Sequence, residues 1–319
     1  MGLRRLARQV VRPKSDSVGK HVNGSRQLIA IFLVVAAASL APVGDLFAKL
    51  VAVSYGAIFI CFGRYLAGGA FGLGVLILSQ RFRLPPLTDM PGQFLRAAIA
   101  ACSIICLIGA LKHAPLADVM AGFYLAPVIS TGLSATLLGE RLGLVKSIGT
   151  GLALFGVIAI LGTPGAFNLG GALAILSGVL FAFYLIAAKM ASEAEDPLSA
   201  AVIQSLMAAV CTAPLALSGD AIPLSWPTIG LFVLIGMISI IYQAATLIAH
   251  RWAAASTLAP FFYAALVSSV GLGAVVLNET PTPAGLLGIM AIASGGVLAA
   301  LADLKRPELP IMNRTTRTA

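Results

Sequence analysis

The sequence predicts an all-α polytopic membrane protein with ten transmembrane helices, arranged as two inverted five-helix repeats. Composition gives the class: the 319 residues are 59% hydrophobic and only 10% charged, whereas soluble domains carry about 25% charged residues. A soluble protein of this composition could not cover its surface with polar groups, so the chain is expected to lie in a bilayer. Ten apolar runs and an internal similarity give the number and the arrangement of the helices.

The net charge of +9 does not indicate nucleic-acid binding, because basic residues concentrate at the two ends of the chain and in loops. These ends predict basic cytoplasmic tails at 1–27 and 302–319, which contact anionic lipid headgroups. Alternate loops collect basic residues on the same predicted side: Arg81, Arg83, Arg141, Lys146, Lys189 and Arg251. The positive-inside rule therefore predicts an inner-membrane protein with both termini in the cytoplasm.

Each apolar run is near the length of about 20 residues that a spanning helix needs. The breaks between runs contain the turn-forming residues Pro, Gly, Asn and Asp, as in RFRLPPLTDMPG and GTPGAFN. The predicted spans are 28–48, 55–79, 93–111, 116–139, 144–161, 169–190, 198–217, 228–249, 254–277 and 282–301.

A shift of 139 residues aligns the fourth and fifth spans with the ninth and tenth without a gap. The shift brings Phe123-Tyr124 onto Phe262-Tyr263 and Glu140 onto Glu279, matches that apolar composition alone does not readily produce. A shift of 140 places Lys49 on Lys189 and Arg64 on Gln204. The repeats therefore run from 28 to 161 and from 169 to 301. Five helices per repeat is an odd number, so the copies are expected to lie in opposite orientations, as in many secondary transporters.

The segments YLAPVISTGLSATLLGERLGLVKSIGTGLALFGVIAIL and APFFYAALVSSVGLGAVVLNETPTPAGLLGIMAIASGGVL resemble the closing halves of the two repeats of an EamA-type transporter, of the drug/metabolite transporter superfamily. The resemblance covers residues 28–302 and implies transport of a small solute without a cofactor. It also implies that the fourth, sixth, eighth and ninth helices surround a central cavity. Pro127 departs from the repeat, because Leu266 lies opposite it while Pro260 lies six residues earlier.

Three charged residues form a predicted buried cluster near the outer end of the first two spans: Asp45, Lys49 and Arg64. Arg64 lies near the middle of its span, where an unpaired charge costs at least a few kcal/mol. Asp45 is its expected partner. The pair is interpreted either as a structural brace between two helices or as part of the solute path that binds an anionic group.

Aromatic and polar side chains near the middle of several spans are the candidate solute-binding residues. Tyrosine offers an apolar face and a hydroxyl, which suits an amphipathic metabolite. For any one of these residues, ordinary helix packing is the alternative. The predicted binding residues are Ser103, Phe123, Tyr124, Phe181, Tyr184, Tyr242, Gln243, Phe262 and Tyr263.

Prolines, small residues and terminal glutamates leave further alternatives open. The four prolines expected within helices predict gating hinges or tolerated kinks: Pro42, Pro127, Pro214 and Pro260. Gly68 and Gly72 form a small-xxx-small pattern, which indicates close packing within the chain or a homodimer contact. Glu140 and Glu279 are expected to reach water or a nearby cation at the membrane faces, with proton coupling as the alternative.

The residues favour a secondary transporter over two other classes. An embedded enzyme would need a catalytic constellation, yet the three histidines, His21, His113 and His250, are scattered. The four cysteines are expected to pack in the apolar interior, with no metal site. The sequence contains no GxxxxGK[ST] motif, so it does not predict ATP binding. Export of an amino acid or related metabolite is the leading prediction. Uptake of a cofactor-like compound, such as riboflavin or S-adenosylmethionine, and passive facilitation are the alternatives.

Overall fold

A computed structural model describes most of the chain, and every structural statement below refers to the residues it describes. These are 24–79, 90–138, 144–161, 168–191, 196–218, 224–252, 258–279 and 283–304. The predictions for most of the two basic tails and for Arg81, Arg83, Arg141 and Glu140 lie outside these residues.

The described chain is helical, which confirms the predicted all-α class. Each repeat begins with three long helices, continues with two short helical segments and ends with one longer helix. The helices are α1 (Gly24–Val51), α2 (Ala57–Leu78), α3 (Met90–Leu111), α4 (Leu116–Phe123), α5 (Ala126–Leu138), α6 (Leu144–Leu161), α7 (Leu169–Ala191), α8 (Pro197–Ala216), α9 (Trp226–Trp252), a 3-10 helix (Ala259–Tyr263), α10 (Ala264–Val276) and α11 (Pro283–Leu304).

Six of the helices, α1 to α3 and α7 to α9, are long and apolar enough to cross a membrane. Four shorter apolar segments follow in the same order in each half: Leu116–Ser130, Ser147–Gly156, Phe261–Val276 and Gly285–Leu298. The protein is therefore a multi-pass helical membrane protein, in which the first three helices of each repeat carry the clearest spanning signal.

The predicted spans 116–139 and 254–277 are not single regular α-helices: the first is interrupted, and the second changes from a 3-10 helix to an α-helix. The chain leaves the α-helix at Tyr124 and Leu125, between α4 and α5. Pro127 has no N–H to donate to the carbonyl of Phe123, so an unbroken helix would lose this hydrogen bond. In the second repeat Pro260 lies in the first turn of the 3-10 helix, and α10 begins directly after Tyr263.

These breaks also correct the prediction that four prolines lie within helices. Pro42 and Pro214 lie inside α1 and α8, whereas Pro127 and Pro260 lie in the first turns of new helical segments. Tyr124 and Tyr263 correspond under the shift of 139 residues, so both repeats change helical geometry at the same tyrosine. Each helical segment after the break can therefore take its own direction.

The helix packing follows the sequence repeat. Helices α1 and α2 both pack on α9. Their repeat equivalents, α7 and α8, both pack on α3. The two most extensive contacts, α6 with α11 and α2 with α8, each join a helix to its own equivalent. Exchanging the two halves therefore leaves the pattern of contacts unchanged.

Equivalent helices of the two halves run in opposite directions. The last turn of α1 reaches Ala114, where the Nζ atom of Lys49 donates to the carbonyl oxygen. The first turn of α7 reaches the same place, because Gly170 lies against His113 and Ala114. We call this end of the molecule the first face. The opposite end, the second face, holds the start of α1 and the end of α9, where Ala30 and Val34 pack with Ala249.

Glycines allow the closest helix contacts. A Cβ atom on Gly68 would lie 2.8 Å from the carbonyl oxygen of Gly236, so the prediction of close packing within the chain is confirmed for this residue. At the crossing of α6 and α11, Gly156 lies against the backbone of Gly288 and Gly295 against that of Gly149. These two contacts are equivalent under the repeat, so only glycine fits at either side of the crossing.

Candidate functional site

The interior charges form two separate ion pairs. In the first, the Nη1 atom of Arg64 on α2 donates to Oδ1 of Asp45 on α1 at 2.7 Å. Their side chains are 10% and 7% exposed, so the pair is removed from both lipid and water. Asp45 and Arg64 can meet because a short turn joins α1 to α2 and both helices pack on α9.

Lys49 does not join this pair, although the sequence grouped the three residues. Its Nζ atom lies 2.5 Å from Oε1 of Glu279, a residue 230 positions away in the other repeat. The other carboxylate oxygen of Glu279 accepts the backbone N–H of Leu116, the first residue of α4, at 2.8 Å. Glu279 therefore neutralises a lysine and also satisfies a free N–H group at a helix N-terminus, where the helix dipole favours a negative charge.

The backbone after α10 positions Glu279 for these contacts. Asn278 has φ of 54°, in the left-handed region that asparagine tolerates better than most residues. The resulting turn lets the N–H of Glu279 donate to the carbonyl of Gly273 at 2.9 Å. Lys49, Glu279 and Leu116, which we call the first-face latch, thus tie the end of α10 to the end of α1 and the start of α4.

An aromatic row runs through the interior and draws on both repeats. Its members are Tyr263, Tyr124, Phe123, Phe181 and Tyr184. Successive ring centroids are 6.4, 5.4, 4.6 and 5.2 Å apart, within the range of favourable aromatic contacts. Tyr263 and Tyr124 lie at the two helix breaks, so the broken geometry of each repeat turns its tyrosine toward the other.

The row adjoins the buried ion pair through Tyr242. Tyr242 lies close to Tyr124 and is also within electrostatic range of Asp45, Arg64 and Tyr184. Tyr242 on α9 is partly exposed, whereas Tyr124 and Tyr263 are 5% and 4% exposed. The interior is therefore tightly filled around Tyr124 and more accessible toward Tyr184 and Tyr242.

The row ends in polar groups on the second-face side. The hydroxyl of Tyr184 donates to Oε1 of Gln204 at 3.0 Å, and Arg96 on α3 lies within electrostatic range of Tyr184. Tyr184, Gln204 and Arg96 are all partly exposed. Gln204 is the repeat equivalent of Arg64, so the two ends of the site differ in charge.

The remaining predicted binding residues have different surroundings. Phe262 precedes Tyr263 and packs against the main apolar core. Gln243 follows Tyr242, and its Oε1 atom is buried without a hydrogen-bond partner. Ser103 pairs with a serine of α7: its hydroxyl donates to the carbonyl of Ser177 at 2.9 Å, and the hydroxyl of Ser177 donates to the carbonyl of Ser103 at 2.8 Å. This reciprocal pair joins α3 to α7.

Two residues at the site escaped the sequence reasoning. Arg96 looks like an ordinary basic residue near the end of a span, and only its place inside an apolar helix hinted at more. Gln204 was noted as the counterpart of Arg64, but its contact with Tyr184 depends on the packing of both α7 and α8 on α3. Glu279 was expected near a cation, but the sequence could not identify that cation as Lys49.

Together, the fold and the site define a helical membrane protein whose two similar halves share an interior row of aromatic side chains. The family model of the EamA-like transporter family matches residues 28–162 and 168–301. The chain therefore belongs to the EamA-like transporter family.

The comparison with solved structures supports the fold. A crystal structure of another protein is similar with a TM-score of 0.62 and 21% sequence identity, over 87% of this chain and 99% of that chain. At this identity the likeness concerns the fold alone. The comparison with curated proteins gives no match.

Proposed function

We propose that this protein is a secondary transporter that exports a small polar or amphipathic metabolite, an amino acid or a related compound, across the inner membrane. Membership of a family of small-solute transporters supports the class. The observation that carries the proposal is the aromatic row, because it is interior, amphipathic and built from both halves. A solute that contacts the row contacts both halves at once, as alternating access requires.

The proposed topology has ten spans in two inverted repeats, with both termini in the cytoplasm. The opposite directions of α1 and α7 support the inversion, and the basic ends of the sequence support the orientation. In this topology the first face is the outer one. Its latch is formed, while Tyr184 and Gln204 at the second-face end of the row are partly exposed. We therefore propose that the structure represents a state closed toward the outside.

A comparison of metabolites inside and outside cells tests the proposal. Cells would express the wild type or the double variant Tyr124→Ala/Tyr263→Ala, with protein amounts in the membrane matched. We expect at least one compound to accumulate in the medium with the wild type, and this release to fall at least tenfold in the variant, because two rings of the row are removed.

The same comparison separates the alternatives. Accumulation inside cells that express the wild type would replace export with uptake and favour a cofactor-like solute. Identical profiles for the wild type and cells without the protein would contradict a transport function. If the wild type does transport a compound, dissipating the ion gradients across the membrane distinguishes the two remaining classes. Transport by a coupled carrier would stop, whereas a passive facilitator would continue to equilibrate the compound.

A further inference from the structure

Arg96 differs from the other interior cations because no described carboxylate pairs with it. Among the described side chains that are not exposed, the cations are Lys49, Arg64 and Arg96. Lys49 has Glu279 and Arg64 has Asp45. Arg96 instead donates from Nη2 to Oε1 of Gln93, while its Nε atom is buried and has no hydrogen-bond partner. An arginine without a negative partner in such a place is available to an anionic ligand.

Arg96 is directed toward the protein interior. It lies six residues after the start of α3 at Met90, about 9 Å along the helix. Gln93 and Ala97 on either side of it are 3% and 0% exposed, whereas Phe94 and Leu95 are 49% and 61% exposed and face outward. An arginine that only reached the lipid headgroups would share the exposed face with Phe94 and Leu95.

Unpaired hydrogen-bond acceptors lie on α9, just after Tyr242 in the chain. The Oε1 atom of Gln243 and the Oγ1 atom of Thr246, one turn apart on α9, are both buried without partners. Tyr184 is within electrostatic range of Arg96 on α3 and of Tyr242 on α9, and α3 and α9 make no extensive contact with each other. The interior near Tyr184 and Tyr242 thus contains an unpaired cation on α3 and, one and four residues after Tyr242, unpaired neutral acceptors on α9.

We infer that the transported solute carries a carboxylate, which Arg96 binds, and a hydrogen-bond donor, which Gln243 and Thr246 bind. A planar guanidinium matches a carboxylate through two parallel N–H bonds. A side-chain amide oxygen and a hydroxyl oxygen accept from an ammonium or a hydroxyl group. Phe181 and Tyr184 supply the apolar surface for the rest of the molecule. This chemistry describes a small amino acid or hydroxy acid, and the inference rests on the proposed transport function.

The test repeats the release experiment with Arg96→Gln and Arg96→Lys. Arg26→Gln is the matched control, because Arg26 is an exposed arginine near the start of α1 and its replacement removes the same charge. We expect the compounds that the wild type releases to contain a carboxylate. Release should fall roughly ten- to a hundredfold in Arg96→Gln, the range expected for a lost charge-assisted hydrogen bond. Arg96→Lys should restore part of it, and Arg26→Gln should match the wild type.

Thermal unfolding of each purified variant in detergent, compared with that of the wild type, separates lost binding from lost folding. If Arg96→Gln unfolds like the wild type, its reduced release reports binding. If it fails to fold, the partly active Arg96→Lys variant takes its place. Full release of the carboxylate by a folded Arg96→Lys variant would then overturn the inference, because a lysine cannot supply the two parallel N–H bonds of a guanidinium.

The remaining outcomes distinguish this inference from the proposed function. Release of compounds without a carboxylate would overturn the inference and leave the transporter standing. Full release of a carboxylate by Arg96→Gln would do the same. If the wild type releases nothing, the proposed function fails, and the inference fails with it.

Discussion

Asp45 and Arg64 correspond in the second repeat to Leu185 and Gln204, which carry no charge. The chain therefore contains its own uncharged version of the same helix pair. A buried pair stabilises little relative to a well-packed apolar replacement, but removal of one partner leaves an uncompensated charge and costs about 3–5 kcal/mol.

These residues give a prediction that separates the brace from the solute path. Asp45→Leu should lower the free energy of unfolding by about 3–5 kcal/mol, measured by thermal unfolding in detergent. The double variant Asp45→Leu/Arg64→Gln, which copies the second repeat, should regain most of this stability and keep transport. A stable double variant that no longer transports would contradict the brace and locate the pair on the path.

Sequence reasoning succeeds for residues that are close along the chain. It linked Arg64 to Asp45 because consecutive antiparallel helices bring positions near their shared turn together. It could not link Lys49 to Glu279, because these residues are 230 positions apart and their contact depends on how the two halves dock. Arg96 was missed for another reason: a basic residue near the end of an apolar span usually reports topology, and only burial of its neighbours Gln93 and Ala97 reveals that it faces inward.

At the scale of elements, the repeat predicted the pairs of equivalent helices but not the breaks within them. The apolar run from 116 to 139 has the length of one span, and nothing in its hydrophobicity indicates two helices. Pro127 was the available signal, but a proline in a membrane helix often produces only a kink. The symmetry of the breaks at Tyr124 and Tyr263 appears only when the backbone of both repeats is compared.

The crossing of α6 and α11 provides a prediction about helix packing. Gly156→Leu places a side chain against the backbone of Gly288, so we expect the two helices to separate and the yield of folded protein to fall severalfold. Gly151→Leu on the same helix is the matched control, because a Cβ atom there meets nothing within 4 Å. Size-exclusion chromatography in detergent measures both. Equal yields for the two variants would contradict the close crossing.

At the scale of the whole molecule, the two halves meet at places that differ in how firmly they are closed. Near the first face, the latch joins α1, α4 and α10, and the rings of Tyr55, Phe59 and Phe232 pack with centroid distances of 5.6 to 5.9 Å. At the second-face end of the aromatic row, Tyr184 and Gln204 remain partly exposed. We therefore expect a solute bound beside Tyr184 to leave through the first face only after Lys49 and Glu279 separate.

The most direct test of the proposed transport cycle is to hold the first face closed. The double variant Lys49→Cys/Glu279→Cys would be treated with a short methanethiosulfonate cross-linker, and release of the compound found by the metabolite comparison would be measured. The two single variants control for reaction at the four native cysteines. We expect the double variant to transport before treatment, to stop when cross-linked, and to recover when a reductant cleaves the link. Continued transport by protein that mass spectrometry shows to be cross-linked would contradict alternating opening of this face.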